Sequence, residues 1–143
     1  MTIHQISVFL ENRAGQLADI TAILSESRVD LRAINIAETA DYGVLRLIVD
    51  DAQRASAVLL ERGFILTMTP VVAVAVPDRP GGLSEVLQII SRESIDVEYM
   101  YSVFGQKNGL AYMIFRVGDP DRLDAVLRAS GLSAVPGEEL GVH

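Results

Sequence analysis

The sequence matches itself when it is shifted by 66 positions, and this internal repeat constrains the fold more than any other feature. Residues 6–36 align with residues 72–102 without a gap, and seven of these 31 positions are identical. The alignment continues into the later part of each copy, once two residues are inserted in the second copy. We interpret the chain as a duplicated unit of about seventy residues, the scale of a minimal domain. The predicted units are residues 1–70 and residues 71–143.

Both copies show the same predicted order of secondary structure. Each begins with an apolar strand, 3–10 or 71–76, and a turn with glycine leads into a helix with apolar residues at helical spacing. Two strands joined by a hairpin come next, followed by a second helix that starts after Asp51 or Asp119 and by a final strand. This βαββαβ order predicts an α+β fold of two ferredoxin-like units, each an antiparallel sheet with its helices on one face.

The hairpin strands of the second copy, 97–104 and 110–117, are apolar at most positions and are joined by a predicted loop at 105–109. A sheet with helices on one side alternates apolar and polar residues when its other side meets water. We therefore expect the second side to be covered by the other half of the chain, by a second chain or by a ligand. A homodimer or higher oligomer is the corresponding prediction.

Composition argues against several classes of function. The chain has a formal charge of −7 and no basic run, so it lacks the cation cluster that binds nucleic acid. It contains no cysteine, which removes disulfides, thiolate metal sites and cysteine nucleophiles. The longest strongly apolar run, 71–76, is far shorter than a membrane span, and the first residues do not resemble a signal peptide. We expect a cytoplasmic protein without nucleic-acid or membrane partners.

The turn after the first strand of each copy is the candidate binding site. Glycine there lets a ligand approach the backbone, and the unpaired N–H groups that start the following helix accept a carboxylate. Asn12 or Asp78, at the head of the turn, offers an oxygen to an ammonium group. Asp30 and Asp96, eighteen residues later, are predicted to bring a second carboxylate to the same end of the sheet. This set suits a free α-amino acid, and ordinary turn and capping chemistry without a ligand is the alternative interpretation.

The pattern Asn/Asp-Arg-Ala/Pro-Gly-x-Leu, followed by an Asp that opens the second strand, resembles the ACT domain, and the resemblance covers both copies. ACT domains are small βαββαβ modules that sense amino acids in many metabolic enzymes. The resemblance implies a stand-alone tandem ACT protein with a free amino acid as ligand and an enzyme of amino-acid metabolism as a further partner. It also implies sites that take the turn from one module and the second strand from its neighbour. The residues placed at the ligand are Asn12, Arg13, Gly15, Gln16, Leu17, Asp30, Leu31, Asp78, Arg79, Pro80, Gly81, Gly82, Leu83, Asp96 and Val97.

Several positions depart from the family pattern. Ala14 replaces the usual proline of the turn. Arg28 and Ser94 replace the usual glycine before the second strand, where a left-handed residue would carry modest strain. The histidine found in some serine-binding members is absent, so the resemblance does not carry serine specificity to this chain.

Two other classes of function compete with amino-acid sensing. His4 and His143 have no local partner set, and the serines have no base at motif spacing, so we expect no catalytic, metal or cofactor site. A module that pairs with a metabolic enzyme without binding a small molecule is the alternative, because continuous apolar strands serve assembly equally well. Stabilisation by an added amino acid would distinguish the sensor from the assembly module.

Overall fold

The computed structural model describes residues 2–11, 13–38, 42–132 and 134–143, and the chain divides into two compact units. The N-terminal unit consists of His4–Thr69 together with Gly141–His143. The C-terminal unit consists of Pro70–Leu140 together with Met1–Ile3. The N-terminal unit has the βαββαβ order that the repeat predicted, and the C-terminal unit follows it as far as its last helix.

In the N-terminal unit, β3 is the central partner of two antiparallel strands, since it pairs with both β1 and β2. The hydroxyls of Ser7 on β1 and Thr69 on β4 lie 3.0 Å apart, which links the last strand of the unit to the first. The elements are β1 (Ile3–Leu10), α1 (Gln16–Glu26), β2 (Leu31–Glu38), β3 (Gly43–Val49), α2 (Ala52–Glu61) and the first part of β4 (Ile65–Pro77).

In the C-terminal unit, β6 takes the same central place and pairs antiparallel with the second part of β4 and with β5. The helices begin and end as the repeat predicts, with Pro120 in the first turn of the last one. The remaining elements are α3 (Gly82–Arg92), β5 (Val97–Lys107), β6 (Leu110–Val117), α4 (Pro120–Ala129) and a short 3₁₀ helix (Gly137–Leu140).

The hairpin between β5 and β6 is tighter than the predicted loop at 105–109. β5 continues to Lys107, and only Asn108 and Gly109 turn, with φ values of 54° and 72°. Positive φ at both central residues defines the two-residue turn that Asn-Gly favours. A register shift in β5, with Gly105 at φ 87°, takes up the extra residues as a bulge.

The final strand predicted for the second copy is reduced to a single bridge. Ala134 pairs with Val74, and the backbone N–H of Val135 donates to the carbonyl oxygen of Ala73 at 2.7 Å. Pro136 follows directly and has no N–H to continue a ladder, so the prediction of a full strand is wrong here.

The core of each unit lies between its sheet and its two helices. Helix α1 contributes Ile20, Ile23 and Leu24, as its spacing predicted. At the start of the helix, Gln16 is buried and Leu17 is 38% exposed.

Strand β6 of the C-terminal unit carries buried side chains on both of its faces. Phe115 belongs to the core beside the helices and is fully buried. Tyr112 and Ile114, outside that core, are 8% and 0% exposed. The apolar residues of this strand are therefore not confined to the face beside the helices.

Arg28 and Ser94 adopt the left-handed conformation before the second strand of each unit, with φ values of 57° and 55°. This conformation costs a residue other than glycine about 1–2 kcal/mol. Glycine returns roughly 0.5–1 kcal/mol of that through its greater freedom in the unfolded chain. We expect Arg28→Gly and Ser94→Gly each to raise the free energy of unfolding by up to ~1 kcal/mol in urea denaturation. Gln88→Gly, inside α3, is the control and should lower it by about 1 kcal/mol; a gain there would contradict the explanation.

Candidate functional site

The four described helices differ in how they begin. Helices α2 and α4 start behind Asp51 and Asp119, whose carboxylates accept hydrogen bonds from the N–H three residues later, at 3.0 and 3.1 Å. Helices α1 and α3 start behind Gly15 and Gly81 and have no side-chain cap. The N-termini of α2 and α4 are therefore each capped by a carboxylate of the chain itself. In α1 and α3 the glycine offers no side-chain acceptor. The N–H of Gly82 at the start of α3 donates to the carbonyl oxygen of Arg79 at 3.0 Å, and the other donors of these first turns, with the positive end of the helix dipole, can take an anion.

Gly15 and Gly81 have nearly the same left-handed backbone conformation, with φ 86° and ψ −12° and −8°. Glycine adopts this conformation without the strain that a Cβ atom brings. No described atom lies within 4 Å of a Cβ built at either position. Both turns therefore present the same open backbone, at the place where the repeat aligns them.

The two turns differ at the residue that follows Gly15 and Gly81. A Cβ added to Gly82 would lie 1.9 Å from the carbonyl oxygen of Pro77, so the C-terminal turn has no room for a side chain there. The aligned residue of the N-terminal turn is Gln16, which is 8% exposed. Its Oε1 atom is buried and finds no hydrogen-bond donor in the described part of the chain. At this position the N-terminal turn has a buried acceptor without a described donor, whereas in the C-terminal turn Gly82 packs directly against the backbone of Pro77.

The two predicted turn arginines pair with carboxylates of their own turns. The NH2 group of Arg79 lies 2.9 Å from both carboxylate oxygens of Glu85, in the first turn of α3. The Nε atom of Arg13 lies 3.6 Å from the carboxylate of Glu11. These ion pairs are more than half exposed and contribute little to stability, so they hold the guanidinium groups beside the turns rather than brace the fold.

Strand register contradicts the prediction that the second-strand aspartate shares an end of the sheet with its own turn. Leu10, which leads into the N-terminal turn, pairs with Gly43, whereas Leu31, which follows Asp30, pairs with Val49. These partners lie at opposite ends of β3 and are about 20 Å apart at the rise of a strand. Helix α1 carries the chain back across the sheet before β2 begins. The C-terminal unit repeats this arrangement.

Asp30 and Asp96 therefore lie away from the turns of their own units and contact other residues. The backbone N–H of Asp30 donates to Oδ1 of Asp50 at 2.9 Å, and its carboxylate accepts from Arg32 at 2.9 Å. Asp96 lines an open pocket of about 390 Å³, with Glu98 among the other lining residues. Leu31 and Val97, which open the two strands, are partly buried against their cores.

The remaining predicted residues lie at or beside the turns. Asn12 lies outside the described residues. Asp78 is exposed, and its backbone N–H donates to the carbonyl oxygen of Gly109 at 2.9 Å, which ties the turn to the hairpin. Pro80 is exposed, and Leu83 is partly buried against the core.

One feature at the N-terminal turn was not predicted. The rings of Phe9 and Tyr42 meet edge to face at 6.1 Å and are 39% and 45% exposed. They flank the Leu10–Gly43 pair, where β1 enters the turn. The alternation of β1 could have revealed Phe9, since it falls on the strand face opposite the core.

Two classes of feature are missing from the described ranges. No group of three or more histidine, aspartate and glutamate side chains there is arranged to hold a metal ion. No helix there is long and apolar enough to cross a membrane.

Comparisons with known proteins identify relatives along almost the whole chain. A family model for an ACT domain pair matches residues 1–142. A crystal structure of a Bacteroides thetaiotaomicron protein superposes with a TM-score of 0.91 at 35% identity, covering 99% of this chain and 96% of that one. The ligand-free regulatory subunit of aspartate kinase from Thermus thermophilus superposes with a TM-score of 0.64 at 18% identity, covering 90% of each chain. The Thermus flavus subunit gives 0.57 at 17%, again covering 90% of each, and these two likenesses show the fold. No curated protein matches the chain significantly.

Proposed function

We propose that this chain, which belongs to the ACT domain family as a domain pair, is a non-catalytic regulatory protein that binds a free amino acid at its glycine turns. The ligand carboxylate takes the open N–H groups at the start of α1 or α3. Its ammonium group takes the oxygen of Asn12 or Asp78 at the head of the same turn. Two structures of the same fold are regulatory subunits of aspartate kinase, which supports an enzyme of amino-acid metabolism as the partner class.

The difference in helix capping is the observation that carries this proposal. Within one duplicated fold, the second helix of each unit is capped by its own aspartate and the first helix is not. An unused helix N-terminus behind an open glycine turn attracts a carboxylate more strongly than any capped one does. The arrangement occurs in both units, at the positions that the ACT resemblance assigns to the ligand.

A thermal-shift screen of the purified chain against the twenty common amino acids tests the proposed function. A ligand that binds the native state stabilises it by RT ln(1 + [L]/Kd), so the unfolding temperature rises with the concentration of free ligand. We expect at least one amino acid to raise the unfolding temperature at millimolar concentration, and glycerol at the same concentration to leave it unchanged. If none does, the sensor proposal fails, and the module that pairs with an enzyme without a small molecule takes its place.

Asp78→Ala is expected to weaken amino-acid binding to the C-terminal turn at least tenfold. A hydrogen bond to a charged group contributes about 1.5–3 kcal/mol, and about 1.4 kcal/mol corresponds to a factor of ten in affinity. Titration calorimetry should show one class of site lost, while Asn12→Ala tests the N-terminal turn in the same way. Asp121→Ala, on the exposed start of α4, is the control. Equal affinities in the wild-type and Asp78→Ala chains would contradict the assignment of the ammonium group.

We also propose that the chain forms a homodimer or higher oligomer through an edge strand. In the described residues, β2 pairs with β3 alone and β5 pairs with β6 alone. Ile36 on β2 and Phe104 on β5 are 54% and 50% exposed, and exposed edges invite pairing with another chain. Ile36→Lys or Phe104→Lys should lower the mass measured by light scattering at micromolar concentration, to half for a dimer, whereas Leu60→Lys, on α2, should not change it. A monomeric wild-type chain would contradict the proposal.

A further inference from the structure

The Oε1 atom of the buried Gln16 side chain has no hydrogen-bond donor in the described part of the N-terminal unit. Every other residue from 13 to 19 is exposed, so Gln16 alone points inward from the turn and the start of α1. The C-terminal turn indicates the direction, because a Cβ at the aligned Gly82 would point at the carbonyl that ends the preceding strand. Gln16 is therefore the side chain of this stretch that is withdrawn from solvent.

An acceptor left unsatisfied in this place lowers the stability of the unliganded protein. Buried polar atoms in native proteins nearly always have a partner, and an atom without one calls for a physical explanation. The Oε1 atom of Gln16 has no donor among the described side chains and backbone groups. A donor that arrives with the ligand supplies the missing hydrogen bond.

The chemistry around Gln16 specifies that donor. Helix α1 offers backbone N–H groups with no side-chain cap, and these take an anion. The carboxamide oxygen beside them accepts an N–H, and a carbon that bears both a carboxylate and an ammonium group satisfies both requirements. The C-terminal turn has no such side chain at the aligned Gly82 and presents the carboxylate of Asp78 instead.

Resting on the proposed function, we infer that Gln16 is a specificity-determining residue whose Oε1 accepts the ammonium group of the amino acid bound at the N-terminal turn. The two turns of the chain are then unequal sites. The ammonium group has three N–H donors, so at the N-terminal turn it meets a neutral, buried amide in addition to the oxygen at the head of the turn, and at the C-terminal turn it meets only an exposed carboxylate.

Paired ligands that differ only in the ammonium group test this inference. L-Alanine, L-leucine and L-phenylalanine are each titrated against the full chain by calorimetry, beside propionate, isocaproate and hydrocinnamate. The Asp78→Ala chain serves as the background, so that the heat reports the N-terminal turn. We expect this chain to bind its best amino acid at least tenfold more tightly than the matching acid without the amino group.

Gln16→Leu in that background should lower the preference, with a loss of about tenfold or more for the amino acid and little change for the matching acid. Gln16→Glu keeps an acceptor and should keep the preference. The melting temperature of the free protein should stay the same or rise in Gln16→Leu, because an unsatisfied acceptor has been removed, whereas a purely structural role would lower it. If Gln16→Leu does not fold, Gln16→Gly copies the C-terminal turn and should give the same loss.

An undiminished preference in Gln16→Leu, or in Gln16→Gly, overturns the inference and leaves the proposed function in place. A lower melting temperature with the preference intact shows a packing role only. If no amino acid stabilises or binds the wild-type chain, the proposed function fails first, and the inference falls with it.

Discussion

Replacing Gly82 by alanine is expected to destabilise the C-terminal unit by about 3 kcal/mol, the upper range for forcing an extra carbon into a packed site. The new Cβ would lie 1.9 Å from the carbonyl oxygen of Pro77, far inside the contact distance of real atoms. That oxygen belongs to the backbone, so no side-chain rotation relieves the contact. Either the start of α3 or the end of β4 must move, and the turn between them must move as well. Urea denaturation measures the loss.

Two matched variants separate the clash from other effects. Gly81→Ala, one residue earlier, meets no described atom within 4 Å but has φ +86°, so it should cost only the conformational strain of about 1–2 kcal/mol. Gln16→Ala, at the aligned position of the N-terminal unit, already has a Cβ and should change stability by less than about 1 kcal/mol. A Gly82→Ala chain as stable as the wild type would show that helix and strand do not pack this closely.

Local signals in the sequence were sufficient for most of the fold. Asp51 and Asp119 start their helices because a carboxylate caps the N–H groups of the first turn, an interaction within four residues. Gly63 and Gly131 end the helices in the left-handed conformation, with φ 87° and 79°. The repeat doubled each of these signals, so the α+β architecture could be predicted before any contact was known.

The wrong predictions concern features that depend on contacts between segments far apart in the sequence. The position of Asp30 relative to its turn is determined by the register of β1 and β2 against β3, which no local pattern states. The β5–β6 loop was overestimated because a bulge in β5 absorbs residues that look like turn residues. The burial of Gln16 was missed for a related reason, since a polar residue at a helix start ordinarily faces water.

The two copies differ on the sheet face opposite their helices. In the N-terminal unit this face carries hydrogen-bonded polar side chains: the Nε2 of Gln5 donates to the hydroxyl of Ser7 at 2.9 Å, and Arg46 donates to Asn35 at 3.0 Å. Buried polar side chains need hydrogen-bond partners, whereas buried apolar side chains need close packing. The two units are therefore not interchangeable, although they derive from one repeat. The repeat aligns Gln5, Ser7, Asn35 and Arg46 with the buried apolar residues Val71, Ala73, Tyr101 and Tyr112.

A chain that ends at Pro70 is expected not to fold, although it contains the whole first copy of the repeat. Strand β4 runs from Ile65 to Pro77 without a break, and the boundary between the units falls inside it. Residues 65–69 bury little surface, with Ile65 at 70% exposure, whereas Val71–Val74 are fully buried. The buried part of the strand therefore lies after Pro70 and is missing from the shortened chain. The remaining strand becomes a free chain end, and such ends fray.

The same cut also removes residues 141–143, which belong to the N-terminal unit, including the His143 N–H that donates to the carbonyl oxygen of Asp50 at 2.7 Å. A chain ending at Leu140 removes only these residues and serves as the matched control. We expect the control to unfold cooperatively at a reduced temperature, and the chain ending at Pro70 to show an unfolded circular dichroism spectrum or to aggregate. A soluble, cooperatively unfolding monomer of residues 1–70 would contradict this and establish the repeat unit as an independent domain. In that case each copy of the repeat would fold by itself. We expect instead that the whole chain folds together, because β4 runs through both copies without a break.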